Sequence, residues 1–217
     1  MKVLERPLLR VLAVVAVVIP AAALLIPADP AVAAAPPAGA AVQSVSGFGS
    51  GCTSDSVTAT WDDASQFKVT YGSFGARAGS DSGPLDFVKA CSLSVQLAIP
   101  DGYSVALAGA KSLLYADVAD GATVTHRTRA YWQGMSAENR WTKAQRGPFQ
   151  DSWISTANTD PAALIYSTCG ENRRLQITTN LTVSRGSSNP ATQSSVEYDN
   201  SWGGANGVYQ LVWKACG

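Results

Sequence analysis

The chain has 217 residues, 16 basic and 16 acidic side chains, one histidine and four cysteines, and only 15 % of it is charged. That balance argues against nucleic-acid binding, which calls for a strong basic excess on one face. A lone histidine and cysteines without close paired spacing argue against a zinc site, and nothing in the sequence implies a cofactor.

In chain order, Lys2, Arg6 and Arg10 precede an apolar run from Val11 to Ile26, followed by the small residues Ala31 to Ala35. This pattern predicts a secretory signal peptide over residues 1–35, cleaved after Ala33 or Ala35. The run of about sixteen residues is interrupted by Pro20 and falls short of a membrane span, so no stable span is expected after cleavage. Loss of the leader removes Lys2, Glu5, Arg6, Arg10 and Asp29, leaving 13 basic and 14 acidic residues and a net charge of about −1. Residues 36–51 are rich in Ala, Pro, Gly and Ser and read as a flexible segment leading into a single domain over 52–217.

From Ser56 onward the apolar residues alternate with period two, the signature of strands with one buried face. Val57, Ala59 and Trp61 share a face, as do Phe67, Val69 and Tyr71, and the polar turn 62–65 predicts a hairpin between them. Cys91, Leu93, Val95, Leu97 and Ile99 form the next inward row. Pro100, Asp101 and Gly102 then turn the chain into Tyr103, Val105 and Leu107, which predicts a second hairpin. Strands are expected over 113–118, 122–133, 150–155, 162–167 and 174–184, the last with Leu175, Ile177, Leu181 and Val183 inward. Tyr209, Leu211 and Trp213 close the series. About nine or ten short strands separated by turn signals predict an all-β fold, an antiparallel β-sandwich of jelly-roll-like or Ig-like type, with a closed barrel as the alternative.

Export places Cys52, Cys91, Cys169 and Cys216 in an oxidising compartment, so two disulfides are expected to staple the sandwich. Of the three pairings, Cys52 with Cys91 and Cys169 with Cys216 is preferred because each ties neighbouring strand ends. The pairing of Cys52 with Cys216 and Cys91 with Cys169 stays open.

Several residues together carry a resemblance: Gly49 to Cys52 before a hairpin, Cys91 and Leu93 followed by Ile99, Pro100, Gly102 and Tyr103, and Tyr115 to Asp117 before a strand with Tyr131, Gln133 and Gly134. Cys169 with Gly170, and Trp213 with Cys216, complete it. In these the mature chain resembles the secreted domain-of-unknown-function family 4360 along nearly its whole length. Thr168 stands where that resemblance leads one to expect proline. The resemblance implies a small extracellular protein and implies no catalytic or binding residues.

Candidate chemistry is sparse. His126 lies on the inward stripe with Val124, Thr128 and Trp132, which reads as a structural strand histidine, and there is no G-x-S-x-G nucleophile elbow. Glycoside hydrolysis needs two facing carboxylates, and the acids sit mostly in turns. Aromatic side chains are the better candidates: Trp202 in the glycine-rich segment 200–204, with Trp132, Tyr131 and Trp141 as further rings for stacking on a ligand. The residues favour a non-catalytic extracellular or cell-envelope binding module for polysaccharide or another extracellular protein. A glycan-active hydrolase or lyase using an acidic pair is the alternative.

Overall fold

The computed structural model describes residues 35–61, 63–201 and 204–217; the expected leader as far as residue 34, Asp62, Trp202 and Gly203 lie outside these. Among the described residues run twelve strands: β1 (Ala41–Phe48), β2 (Val57–Thr60), β3 (Gln66–Tyr71), β4 (Gly75–Ala78), β5 (Val88–Ala98), β6 (Tyr103–Val118), β7 (Thr123–Trp132), β8 (Glu138–Arg146), β9 (Phe149–Asn158), β10 (Leu175–Ser184), β11 (Ser194–Tyr198) and β12 (Gly207–Ala215). All their pairings are antiparallel. One sheet has five strands in the order β1-β5-β10-β7-β8. The other has seven, β2-β3-β12-β6-β11-β4 with β9 also on β6. The fold is an antiparallel β-sandwich.

Alternation built the core as expected. Cys91, Leu93, Val95 and Leu97 of β5 and Leu175, Ile177 and Leu181 of β10 are buried and face the other sheet. In β6 the inward row changes parity, from Val105 and Leu107 to Ala110, Ser112 and Leu114. A bulge causes this: Gln210 and Leu211 of β12 pair with Gly109 and Leu107, leaving Ala108 as the extra residue. Trp132 and Trp213 are buried with their indole N–H groups donating to the carbonyls of Ile165 (3.1 Å) and Ala64 (2.7 Å).

The disulfides join Cys52 to Cys91 and Cys169 to Cys216, the preferred pairing. The predicted β2–β3 hairpin is present. Four expectations change. Residues 36–51 contain β1, whose backbone pairs with β5 from Ala41 to Phe48; main-chain hydrogen bonds hold a segment whose small side chains gave no strand signal. The Pro100–Gly102 turn forms, with Gly102 at φ 77° and the Tyr103 N–H donating to Pro100 O, but it carries the chain from one sheet to the other, so β5 and β6 are not a hairpin. Residues 162–167 hold a 3₁₀ turn at Pro161–Ala163 and one bridge from Tyr166 to Ala106 instead of a strand, because Pro161 fixes a turn conformation and withholds a donor. Trp61 lies just past the end of β2 and is 38 % exposed, not core-facing.

One polar network crosses the core. His126 of β7 is 4 % exposed, with Nδ1 hydrogen-bonded to Ser155 Oγ on β9 (2.9 Å) and Nε2 to the Tyr198 hydroxyl on β11 (3.2 Å). The Tyr198 hydroxyl is also hydrogen-bonded to Ser112 Oγ (3.1 Å), and those of Tyr71 and Tyr209 to each other (2.6 Å). Stacked rings surround them, with Phe67 on Tyr209 at 4.9 Å and Phe74 on Tyr198 at 5.2 Å between centroids. A neutral imidazole fits this setting, donating through one nitrogen and accepting through the other. Burial pushes the His126 pKa down to about 4.

The unfolded chain protonates His126 near pH 6.5 and the folded chain only near pH 4, so the unfolded state binds more protons between these values. Stability is therefore expected to be full above about pH 6.5 and to fall by about 3 kcal/mol as pH drops to 4, with no further loss from this group below that. Denaturant midpoints measured across that range should show the slope in the natural chain and lose it in His126→Gln. Replacing Cys52 and Cys91 together by serine opens a link across 39 residues and should cost about 4 kcal/mol, read from the same denaturation curves.

Candidate functional site

The seven-stranded sheet forks. At sixteen residues β6 outruns its neighbours. Its residues 109–118 pair with β9 on one edge, while on the other edge β12 takes 103–112 and β11 takes 114–117. Leu113 sits at the junction: its N–H donates to Asn206 O (2.8 Å), and its carbonyl accepts from Asp199 N (3.1 Å).

Two connections meet at this fork, 72–74 between β3 and β4 and 199–206 between β11 and β12. The side chain of Asn206 ties them together. Its Oδ1 accepts from Tyr71 N (2.9 Å), and its Nδ2 donates to Tyr71 O (3.2 Å) and to Asn200 Oδ1 (3.0 Å). The amide thus takes the place of the next backbone unit of β12 beside β3. Asn200 Nδ2 in turn donates to Gly72 O (3.2 Å) and Tyr198 O (3.3 Å).

Outside this clamp the fork opens into a cleft of about 510 Å³. Register lines up Glu197 of β11, Tyr115 of β6 and Ser152 of β9 side by side across its floor. Asp199, Asn200 and Ser201 form one wall and Gly72, Ser73 and Phe74 the other. Asp199 accepts from Ser201 N (2.8 Å) and Ser201 Oγ (2.6 Å) through Oδ1, and from Ser152 Oγ (3.3 Å) through Oδ2. The cleft therefore combines the Tyr115 ring with two carboxylates, hydroxyls and an amide, while Phe74 and Tyr198, which also line it, are almost wholly buried. Ser73, Phe74 and Glu197 are shared with an adjoining cavity of about 340 Å³ along β4. There Asp86 accepts from Gly83 N (2.9 Å) and meets Lys89 (3.1 Å) and Arg77 (3.3 Å). The Gly83 hydrogen bond, and after it the Lys89 ammonium, hold the Asp86 carboxyl down at about 2.

Of the rings expected to stack a ligand, the three among the described residues are not brought together. Trp132 is 1 % exposed, its ring enclosed by the core, which removes it as a stacking surface. Tyr131 faces outward on β7 under the guanidinium of Arg129, 5.2 Å from the ring centre. Trp141 pairs with inward-facing Thr128, so it lies on the opposite face from Tyr131 and packs partly against the core. Trp202 lies outside the described residues; its chain neighbour Ser201 lines the cleft. In the sequence Tyr115 has a place only through the family resemblance, and Glu197 and Asn206 have no assigned role; the register of β6 with its neighbours is what gathers them. Among the described residues no group of histidine, cysteine and acidic side chains is arranged to hold a metal, and no helix is long and apolar enough to cross a membrane.

Residues 38–216 match the model of a family described as a domain of unknown function, DUF4360. The chain belongs to that family. An uncharacterized secreted protein of Arthroderma benhamiae is 23 % identical over 130 residues, covering 59 % of this chain and 53 % of that protein, so the match spans about half the length of the curated relative. A solved structure of TmCBM61 in complex with β-1,4-galactotriose aligns over 79 % of this chain and 88 % of that one, at 9 % identity and a TM-score of 0.29. The secreted relative and the two disulfides are consistent with an extracellular location.

Asn206→Ala would leave the buried Tyr71 N–H and carbonyl without partners. It is expected to cost about 2 to 4 kcal/mol. Asn200→Ala, at an exposed position, should cost under about 1 kcal/mol, and chemical denaturation of both variants measures the difference.

Proposed function

We propose that the protein is an exported, non-catalytic binding module that takes up polysaccharide in the cleft at the β11–β12 fork. The supporting observation is the chemistry of that cleft: an open concave surface on which the Tyr115 ring lies among the hydroxyl, amide and carboxylate groups of Ser152, Asn200 and Glu197. Sugars offer many hydroxyls that both donate and accept, and such a mixed lining answers them in kind, while a ring supplies apolar contact for a pyranose face. Burying an unpaired hydroxyl is costly, so a dense set of polar partners selects for a polyhydroxylated ligand. The 1–35 leader, removed on export, belongs to the same reading. So does Trp202, which follows Ser201 in the chain and is assigned the second stacking ring.

A glycan-active hydrolase is the second reading, favoured by one observation, that Glu197 and Asp199 line the same cleft. The hydroxyl and amide donors already held by Asp199 make it an anchored carboxylate of the 199–201 turn, which suits binding better than proton transfer.

The test is retention of the mature domain on chitin, cellulose and glucan. Retention on at least one, reduced about tenfold or more in Tyr115→Ala and Trp202→Ala, supports the module; no retention on any of them sinks it. Reducing-sugar release from the retained glycan, lost in Glu197→Gln, would replace it with the hydrolase.

A further inference from the structure

The outward face of the five-stranded sheet concentrates positive charge in a chain of balanced composition. On β7, His126, Thr128, Ala130 and Trp132 point inward, which directs Arg127 and Arg129 outward. Register places Arg140 of β8 directly beside Arg129, and Arg146 further along the same face of β8. Arg174, preceding β10, reaches Ser94 Oγ at 3.5 Å on the same side. Five guanidinium groups thus share this surface with one carboxylate, Glu138, which is paired with Arg140 and lies 3.4 Å from Arg129. Arg127 and Arg146 have no ion pair with any described residue, and the Arg140 side chain is 68 % exposed. Exposed pairs such as those of Glu138 contribute only about 0 to 1 kcal/mol, so they yield readily to a better anion.

We propose that this face is a docking surface for an anionic, uronate-type polysaccharide. The site is separate from the cleft and does not depend on it. Charge complementarity is the first argument, because a planar guanidinium meets a carboxylate through two parallel hydrogen bonds. Geometry is the second. Adjacent strands lie about 4.8 Å apart and alternate residues about 6.6 Å, so the sheet presents its groups as a flat ladder along which an extended polymer can lie. The third is what surrounds the arginines. Thr178 and Ser92 lie in the same row as Arg129 and Arg140, hydrogen-bonded at 3.0 Å, with Gln176 and Ser94 in the next, giving neutral partners for sugar hydroxyls. Phe48, 56 % exposed, ends that row on β1 as an apolar ring.

Single-stranded nucleic acid fits less well, since it needs successive rings for successive bases. Two strands, β5 and β10, lie between Phe48 and Tyr131, and Arg129 already covers Tyr131. A lipid surface asks for clustered apolar side chains, which this polar face does not offer.

The experiment is affinity electrophoresis of the mature protein through gels containing polygalacturonate, with neutral galactan as the comparison polymer. Binding to polygalacturonate alone is expected, weakening as salt rises from about 0.01 to about 0.15 M. The exposed double variant Arg127→Gln, Arg140→Gln should lose about tenfold in affinity while keeping the natural circular dichroism spectrum and thermal midpoint. No retardation at low salt, or unchanged retardation in the folded double variant, overturns the proposal. So does equal or tighter binding of a DNA duplex or of phosphatidylserine vesicles. Retention on neutral glycans, read with Tyr115→Ala, is a separate measurement, so failure of one site leaves the other standing.

Discussion

A buried strand must have both edges paired, because each main-chain N–H and carbonyl left without a partner away from water costs a substantial part of a hydrogen bond's energy. Sixteen-residue β6 meets this demand with β12 and β11 on one edge and, on the other, with β9 along 109–118 and the 159–170 segment along 103–108. Where β12 and β11 part, a gap of one residue opens at Leu113. Its backbone groups are satisfied by Asn206 and Asp199 as the chain leaves and re-enters the sheet. The cleft is a consequence of that division: β11 and β12 diverge from a shared edge, and β3 and β4, paired outside them, diverge in the same way.

Inside the sandwich the same fork explains why the core is aromatic and polar where it might have been aliphatic. Tyr198 closes β11, Tyr71 closes β3, and Tyr209 lies near the start of β12, so all three converge beneath the division. Large rings fill the wider space between diverging strands, and their hydroxyls then require partners. Burial raises the pKa of all three, keeping them protonated. His126 bridges Ser155 and the Tyr198 hydroxyl across the sheets, which also pins one sheet against the other.

Much of this architecture was legible in the sequence, and the omissions share a cause. Strands β5, β10 and β12 announce themselves because one of their faces is buried against the opposite sheet, which imposes alternation on the side chains. In β1 and β8 that imposition is weak, while β4 and β11 alternate over only four and five residues, too few to stand out. β8 is an edge strand with polar side chains on both faces, and β1 is built largely of small residues, so main-chain pairing to a neighbour makes each of them a strand. Turn chemistry was equally legible, but only locally. Pro100 to Gly102 specifies a reversal, and whether the returning strand pairs with its predecessor or crosses to the other sheet depends on which partners the rest of the chain supplies. The cleft was the least legible part. Nothing around Asn206 marks its role until β3 and β12 are neighbours.

The two surfaces differ in sign. At the cleft the acids Asp117 and Glu197 flank Tyr115 and Asp199 stands beside them, while Lys68 and Lys111 lie further along the same outward side; the outward side of the five-stranded sheet carries the arginines. Stacked sheets are about 10 Å apart, and the screening length at physiological salt is about 8 Å. Each surface is therefore largely shielded from the other, and a chain of nearly zero net charge can hold two patches that act on approaching ligands independently. Under the two proposed assignments an acidic polymer would be repelled at the cleft and attracted at the arginine face, whereas a neutral glycan would feel neither field strongly and its binding would rest on the shape and hydrogen-bonding groups of the cleft. Selectivity between the two proposed ligand classes would then follow from which sheet faces them, without any movement of the fold.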